Sequence, residues 1–401
     1  MQFDVVIVGA GPAGLSFARS LAGTGLSVAI VEKLPESDLV NPPFDGREIA
    51  LTHLSAELLR GLDAWSRIPA EEISPLREAR VMNGASSYAM RFNTARRSEQ
   101  ELGYLVANHL IRRAVYEAAA GQPHLTLLAG VSVARVDTDA SGARVRLADG
   151  RELAARLVVA ADTRFSETRR RQGIPASMHD FGKVMMVCRV EHDEPHEHIA
   201  TEWFDYGQTI AMLPLNGNVS SAVITLPGHE IDQLMAMDPA AFGAEITERY
   251  RNRLGGMRLV STRHAYPLVA VYAERFVANR FALIGDAAVG MHPVTAHGFN
   301  FGLRGQHTLA EEIKAAASRG GDIADPALLR RYQSAHRRAT WLMYLGTNAT
   351  AMLYTDDRLP ARVMRDAALR IGNRLPPVHW AVQARLMESG GLPRPRLPPR
   401  T

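Results

Sequence analysis

The chain has 401 residues, 46% of them hydrophobic, which is enough for two or three domains with sizeable cores. The absence of any run of 18 uncharged apolar residues argues against a membrane-spanning helix, and we expect no signal peptide because a strand pattern begins at once. The single cysteine, Cys188, excludes enzymes that use a cysteine pair and suits a reducing compartment, so we expect a cytoplasmic protein.

The net charge of +4 is placed unevenly along the chain. Residues 346–401 contain nine arginines and four acidic residues, so this basic tail carries +5 and the remainder about −1. A basic segment can bind anionic lipid, nucleic acid or a partner protein, or can be a solvated surface. No array of aromatic and basic residues accompanies it, so we expect no nucleic-acid partner.

The first 31 residues are typical of a strand, a helix and a second strand. Short apolar runs predict buried parallel strands over 3–8 and 28–31, with a helix over 14–22 between them. The elements predicted next are a helix over 105–120, a strand pair over 131–136 and 143–147, and a buried strand over 157–161.

The pattern between residues 183 and 226 changes to alternating β-like segments. Asn216-Gly217 occupies a hairpin-turn position there, and the predicted strands are 184–190, 201–204, 209–213 and 220–226. These segments predict a second domain built on an antiparallel sheet. After it come a buried strand over 278–284, a helix over 299–318 and a mostly helical region over 326–386.

A glycine motif lies between the first strand and the first helix. Gly9 permits a tight turn, Gly11 lets the backbone approach a pyrophosphate, and Gly14 lets the helix pack on the strand. The amides at the helix N-terminus would face the anion. Glu32 ends the second strand, where it is placed to bind ribose hydroxyls. Together these residues predict a dinucleotide site.

A second motif, some 270 residues later, decides between dinucleotides. Asp286 follows Gly285 at the end of an apolar strand, where its carboxylate can accept a hydrogen bond from a ribityl hydroxyl. FAD has a ribityl chain and NAD does not. Gly298 and Asn300 open the next helix, whose amides would face the pyrimidine edge of a flavin, and Pro293 shapes the loop before it. The two motifs together predict FAD.

Further segments resemble a known family. Asp45-Gly-Arg47-Glu-Ile-Ala-Leu-Thr and Leu-Gly103-Tyr-Leu-Val-Ala-Asn108 are similar to family segments at the cofactor, and Asp162, Ser166 and Arg169 match its middle motif. The chain thus resembles the class A flavoprotein monooxygenases of the p-hydroxybenzoate-hydroxylase fold, within them the ring hydroxylases of ubiquinone biosynthesis. The segment 285–300 resembles their branch with relaxed ring-position selectivity. Thr163 departs from the family, which has glycine after the Asp of the middle motif.

The resemblance implies FAD held without a covalent link, reduced transiently by NADH or NADPH, and hydroxylation of a hydrophobic polyprenyl phenol or quinol. His297 is a candidate general base toward the phenol, and shaping the loop beside the flavin is its alternative role. Pro293 is expected to shape that loop. The cofactor-binding residues expected from the motifs and the resemblance are Gly9, Gly11, Ala13, Gly14, Glu32, Lys33, Arg47, Asn108, Val133, Asp162, Asp286, Gly298, Phe299 and Asn300.

The fold expected is α/β: a Rossmann-like FAD-binding domain with an inserted antiparallel-sheet substrate domain and a C-terminal helical segment. We assign 1–70, 100–178 and 263–345 to the FAD-binding domain, 71–99 and 179–262 to the substrate domain, and 346–401 to C-terminal helices and the basic tail. Other classes stay open: another FAD-dependent oxidoreductase, such as a reductase, halogenase or dehydrogenase, or a flavin-bound assembly module without turnover. The Trp-x-Trp-x-Ile-Pro pattern of one halogenase type is absent.

Three further patterns concern the C-terminal segment, a histidine-rich segment and the predicted sheet. Residues 359–374 predict a basic amphipathic helix that lies peripherally on the inner face of the membrane, docks on a biosynthetic partner or packs on its own FAD domain. Residues 191–198 hold three histidines without metal-ligand spacing, which predicts a polar, exposed loop and no metal site. Met185, Met186, Met212 and Phe204 predict either core packing or the wall of a lipid-like pocket.

Overall fold

The computed structural model describes residues 1–86, 88–93, 101–293 and 297–355, together with Arg358 and Arg365. The helix predicted over 359–374 therefore lies outside the described residues, apart from Arg365.

The strands in chain order are β1 (Gln2–Val8), β2 (Val28–Val31), β3 (Glu48–Leu51), β4 (Ser74–Leu76), β5 (Glu78–Asn83), β6 (Ala89–Asn93), β7 (Gly103–Ala107), β8 (Leu125–Leu128), β9 (Val133–Thr138), β10 (Ala143–Leu147), β11 (Glu152–Ala160), β12 (Ala176–His192), β13 (Ile199–Phe204), β14 (Thr209–Pro214), β15 (Val219–Leu226), β16 (Met257–Leu259), β17 (His264–Ala273), β18 (Val277–Ala278), β19 (Phe281–Leu283) and β20 (Val289–Gly290). The α-helices are α1 (Pro12–Ser20), α2 (Ser37–Val40), α3 (His53–Gly61), α4 (Asn108–Ala119), α5 (Glu167–Arg171), α6 (Gly228–Ala236), α7 (Pro239–Arg249), α8 (Gly298–Ala317) and α9 (Pro326–Thr355). Short 3-10 helices span Trp65–Arg67, Ala70–Glu72 and Gly285–Ala287.

The first sheet has the strand order β18-β19-β11-β1-β2-β8, with β10 paired to β11 and β9 to β10. Strands β19, β11, β1, β2 and β8 run parallel. The central strand β1 buries Val5, Val6 and Ile7 completely, so it has no solvent-facing side over these residues. Its apolar run, rather than an alternating pattern, follows from that position. Helix α1 packs against α4 and α8.

The second sheet has the order β20-β17-β12-β15-β14-β13-β5-β6, with β16 beside β12. Its pairs are antiparallel except β13 with β5. The predicted hairpin joins β14 and β15, and Gly217 supplies the positive φ of +69° that its turn requires. One face of this sheet is packed with side chains such as Trp203 and Ile224, which cluster with Phe242 and Ile246 of α7.

A small third sheet, in the order β3-β7-β4, corrects one prediction. We expected a helix over 105–120, but residues 103–107 form β7 and the helix begins at Asn108. Leu105 and Val106 are fully buried, and β7 is paired on both sides, by β3 and β4. Pairing with strands distant in sequence thus decides the conformation of this short apolar run over its local helical pattern.

Within the described part of the chain, no helix is both long and apolar enough to cross a bilayer.

Candidate active site

One cavity of about 1090 Å³ lies between the first sheet and the second sheet. On one side it is lined by residues at the carboxyl ends of β1, β2, β11 and β19, where ligands of open parallel sheets bind. On the other side lies the face of the second sheet opposite α7. The predicted residues that line this cavity are Gly9, Gly11, Ala13, Glu32, Lys33, Arg47, Asn108, Val133, Asp162, Asp286, Pro293, Gly298 and Phe299.

The three glycines after β1 differ in what surrounds them. Gly9 has a φ of +107°, and a Cβ there would lie 2.7 Å from the Ala161 carbonyl oxygen. A Cβ at Gly14 would lie 2.0 Å from the carbonyl oxygen of Gly9, so this contact holds α1 close to the turn. A Cβ at Gly11 would have no protein atom within 4 Å. Gly9 and Gly14 are thus required by the fold, whereas Gly11 leaves its backbone accessible from the cavity.

The N-terminus of α1 and the side chain of Glu32 form one end of the cavity. Gly11 is the N-cap of α1, and no side chain caps the helix. The Glu32 carboxylate accepts hydrogen bonds from the backbone N–H of Ala10 at 2.7 Å and of Leu34 at 2.9 Å, which ties the two strand ends together. Each carboxylate oxygen can accept a further bond, so Glu32 retains capacity for ribose hydroxyls.

The second motif lies beside the glycine turn. Gly285 has a φ of +60°, and a Cβ there would lie 2.9 Å from the Ala13 Cβ, so the two motifs are in contact. Asp286 lies in the short 3-10 helix that follows β19, with 39% of its side chain exposed. Its carboxylate forms an ion pair with Arg164 at 3.2 Å. Asp286 is therefore held in place and still accessible to a ligand hydroxyl.

The middle motif connects β11 to the second motif. Burial raises the pKa of the Asp162 carboxyl, and its Oδ1 has no hydrogen-bond partner among the described residues. Ser166 caps α5 by accepting the N–H of Arg169. Arg169 is only 2% exposed and donates to the Ala287 carbonyl at 2.9 Å, which ties α5 to the second motif. Thr163 keeps a negative φ, and the turn forms without the glycine typical of the family.

Arg47 and Asn108 are brought together by Asp45. The Asp45 carboxylate accepts from Arg47 at 2.6 Å and from the Asn108 side chain at 2.7 Å. Burial would raise the pKa of Asp45, but the hydrogen bond and the charge of Arg47 keep it below its usual value. The Tyr266 hydroxyl donates to the Asp45 carbonyl at 2.7 Å and so ties this cluster to the second sheet.

Three predicted residues do not line the cavity: Gly14, His297 and Asn300. The Asn300 side chain accepts the N–H of Thr52 at 3.1 Å and donates to the Ala50 carbonyl at 2.9 Å, which fastens α8 to β3. His297 is 2% exposed, and its ring lies 5.5 Å from that of Phe301. These positions favour the loop-shaping role for His297, while the histidine that lines the cavity is His292.

On the strands of the second sheet, successive side chains point alternately toward the cavity and toward the core. Glu202 and Phe204 line the cavity, whereas Trp203 between them is fully buried in the core on the opposite face. The same alternation separates the methionines: Met185 faces the cavity and Met186 the core. Met186 and Met212 thus pack in the core, and Met185 and Phe204 line the cavity wall. The other cavity-facing residues of β14 and β15 are Thr209, Ala211, Leu213, Val223 and Thr225.

Glu48, Glu202 and His292 are among the ionisable residues of the cavity that sequence reasoning missed. Glu48 has a side chain only 1% exposed and bonds Arg189 at 2.8 Å; burial raises its pKa to about 7. Burial lowers the pKa of His292 to about 4, so this imidazole is neutral at physiological pH. Alternation along β13 is the one local signal that could have found Glu202.

The histidines of 191–198 serve the fold. His192 and His196 are buried rather than exposed, so the prediction of an exposed loop is wrong for them. His192 bonds the Glu194 carbonyl and the Ser220 hydroxyl, and His196 bonds the Leu215 carbonyl. Among the described residues, no group of three or more His, Cys, Asp or Glu side chains is arranged to hold a metal ion.

The residues of the cavity fit FAD. The accessible backbone of Gly11 and the uncapped α1 N-terminus suit a pyrophosphate, and Glu32 retains capacity for ribose. Asp286 offers an accessible carboxylate for the ribityl chain, and the buried, unpaired Oδ1 of Asp162 provides a further acceptor. The apolar sheet face beyond them can take a hydrophobic ring.

Comparisons with known proteins agree with this assignment. Residues 2–345 match the family described as FAD binding domain. The chain is 46% identical over 390 residues to ubiquinone hydroxylase UbiM of Neisseria meningitidis, covering 96% of this chain and 85% of that protein. It is 35% identical over 375 residues to ubiquinone hydroxylase UbiL of Rhodospirillum rubrum, covering 94% and 87%. The crystal structure of p-nitrophenol 4-monooxygenase PnpA from Pseudomonas putida DLL-E4 superposes with a TM-score of 0.77 at 18% identity, covering 96% of this chain and 98% of that one, which shows a shared fold.

Proposed function

This chain belongs to the FAD-binding domain family and to the group of FAD-dependent monooxygenases within it, and we propose that it hydroxylates the ring of a polyprenyl phenol or quinol intermediate of ubiquinone biosynthesis. NADH or NADPH is the proposed reductant.

The observation that carries this proposal is the continuity of one cavity from the glycine turn to the apolar sheet face. Gly11 and Asp286 lie at its cofactor side, and Phe204 and Val223 lie on its sheet side. A phenol with an isoprenoid chain needs such an apolar wall, because transfer of its apolar surface out of water drives binding. The names of the two relatives with 46% and 35% identity support the same substrate class.

The chain's own residues would bind and orient the cofactor. The α1 amides and Gly11 would hold its pyrophosphate, Glu32 its adenosine ribose and Asp286 its ribityl chain. The Arg47–Asp45–Asn108 cluster lies beside them and would fix the position of the flavin relative to the second sheet. Reduced FAD, when bound, activates O₂ and supplies the oxygen atom that is transferred. The second sheet would cover the reacting groups and exclude water.

The test is product analysis with purified protein, FAD, NADH or NADPH, and a panel of polyprenyl phenols and quinols. We expect substrate-stimulated oxidation of the reductant and a product one oxygen heavier, with the added atom labelled when ¹⁸O₂ is supplied. A reductase or dehydrogenase would oxidise the reductant without incorporating the label. An assembly module would bind FAD and show no stimulated oxidation. Either of those results would overturn the proposal.

We further propose that the surface of α9 contacts a membrane peripherally. Four large apolar side chains of this helix are exposed: Trp341 by 45%, Leu342 by 71%, Leu345 by 43% and Met352 by 52%. Trp341, Leu345 and Met352 recur at helical spacing on one side. The basic tail of residues 346–401 carries +5, which complements anionic lipid, and the proposed polyprenyl substrate resides in the bilayer.

Liposome co-sedimentation tests this contact. We expect wild-type protein to pellet with vesicles containing anionic lipid at low salt, less so at high salt, and little with neutral vesicles. Replacing Leu342 and Leu345 with Ser should reduce the bound fraction without changing FAD content. Recovery in the supernatant under all conditions would contradict membrane contact. A partner protein that binds this surface in its place would also contradict it.

A further inference from the structure

We propose that Glu202 of β13 hydrogen-bonds a ring hydroxyl of the aromatic substrate and accepts its proton during hydroxylation. This inference rests on the proposed function, since it concerns the same cavity and the same class of substrate.

The register of the second sheet gives Glu202 apolar neighbours. These are Val81 of β5 and Ala211 of β14, and the row continues through Val223 and Val187 to His264 of β17. The adjacent row runs through Phe204, Thr209, Thr225, Met185 and Tyr266. Glu202 is therefore the carboxyl that these two rows present to the cavity.

Glu202 has no hydrogen bond or ion pair with any described residue, unlike the other acids of the cavity. Glu48 pairs with Arg189, Asp286 with Arg164, and Glu32 accepts two backbone N–H groups. Glu202 is half-buried and its carboxyl faces the cavity, so both of its oxygens remain available to a ligand that enters there.

Charged groups near β13 lie elsewhere or have their own partners. On the opposite face of the sheet, Arg80 pairs with Glu78, and Arg253 lies over the Trp203 ring at 4.3 Å. From the end of α9, Tyr354 packs on Phe204, and Arg365 lies over the Tyr354 ring. The remaining ionisable groups that line the cavity are Glu32, Lys33, Arg47, Glu48, Arg112, Asp162, Arg164, Glu167, Arg170, Tyr266, Asp286 and His292.

The surroundings of Glu202 make it a stronger base than an ordinary carboxylate. Burial raises the pKa of Glu202 to about 8. A phenol has a pKa of about 10 and an unperturbed Glu about 4.3, so transfer of the proton to an ordinary Glu would be opposed by roughly six pKa units. Transfer of the proton to Glu202 is opposed by roughly two pKa units. A base with a pKa near the working pH is also the most effective.

The proton transfer balances within the proposed reaction. The ring O–H bond breaks, an O–H bond forms on a Glu202 carboxylate oxygen, and the electron pair stays on the ring oxygen, where it makes the ring more electron-rich toward the transferred oxygen. The proton returns when the product regains its neutral hydroxyl. Glu202 ends each turnover as it began, and no additional oxidant or reductant is required.

The experiment compares wild type, Glu202→Gln and Glu202→Asp between pH 6 and 9.5, with a phenol carrying one short prenyl chain as the probe. Glu191→Gln is the matched control, because Glu191 lies on the same sheet outside the cavity and pairs with Arg258 at 3.0 Å. The readouts are kcat and KM for the probe, its Kd from the change in flavin absorbance, and the FAD Kd from fluorescence.

In wild type and Glu191→Gln we expect kcat/KM to rise with pH, with a half-point near 8. Glu202→Gln should lose that dependence and about 100-fold in kcat, the low end for a general base, while FAD affinity stays within about twofold. Glu202→Asp should fold like wild type, keep the pH dependence and have a kcat between those of wild type and Glu202→Gln. An unchanged pH profile in Glu202→Gln would overturn the inference. If wild type itself shows no stimulated turnover with any phenol, the proposed function fails instead.

Discussion

Two glycines three residues apart, Gly11 and Gly14, should respond in opposite ways to the same added methyl group. In Gly14→Ala the new Cβ would lie 2.0 Å from the Gly9 carbonyl oxygen, a contact that requires the backbone to move by about 1 Å. Overpacking of this kind costs about 1–3 kcal/mol, a large part of a total stability of roughly 5–15 kcal/mol. In Gly11→Ala the Cβ meets no protein atom within 4 Å, so the loss should be confined to about 0.5–1 kcal/mol for a poorer N-cap.

For FAD affinity we expect the opposite ranking, with Gly11→Ala more affected than Gly14→Ala. The methyl group at Gly11 would occupy the approach to the pyrophosphate, so we expect at least a tenfold weaker FAD Kd, or about 1.4 kcal/mol, and a larger loss for Gly11→Val. The assays are urea unfolding of the apoprotein and fluorescence titration with FAD. Refutation would come from a Gly11→Ala apoprotein destabilised as much as Gly14→Ala, or from one that binds FAD like wild type.

Three further predictions concern the cavity and the pH dependence of stability. Asp286→Ala should reduce FAD content but leave the unfolding free energy within about 1 kcal/mol, because its ion pair with Arg164 is partly exposed; full FAD content would remove Asp286 from the site. Arg47→Ala should weaken FAD binding or slow flavin reduction by NAD(P)H, and unchanged values of both in titration and stopped-flow assays would contradict its role. Burial lowers the pKa of His292 to about 4 and of His336 to about 3, so their contribution to stability is complete above about pH 6.5 and is lost as pH falls from there toward 4. Urea unfolding at pH 6.5, 5.5 and 4.5 should show this decline in the unfolding free energy, and the decline should be smaller in His336→Gln than in wild type. An equal decline in both proteins would exclude His336 as a cause of the pH dependence.

The strand and helix at the N-terminus could be predicted because their causes are local. An apolar run, the Gly9 turn and a helix of nine residues follow one another without a gap, so periodicity alone places them. The hairpin at Asn216-Gly217 also has a local cause, because the turn between its two strands needs a positive φ that Gly217 supplies. The choice of FAD was also possible from sequence, since Asp286 and the glycine turn each follow a recognisable strand.

The contacts between distant segments required the structure. Arg169 donates to Ala287, 118 positions later, and Asn300 bonds Thr52 across 248 positions. A local pattern assigns each of these residues to an element but does not indicate its partner. For that reason the buried bond of Arg169 and the bonds of the Asn300 side chain to the backbone of Ala50 and Thr52 became known only from the structure.

The sequence by itself determined the strand–helix–strand unit at the N-terminus, the antiparallel character of the second sheet and the cofactor class, because periodicity, turn chemistry and strand-end residues act over a few positions. Only the tertiary structure decided which face of each strand lines the cavity. A strand presents alternate residues to opposite sides, and the packing of α7 on one side leaves Glu202, not Trp203, facing the cavity. Tertiary structure also made residues 103–107 a strand, because β3 and β4 supply the hydrogen-bond partners that complete it.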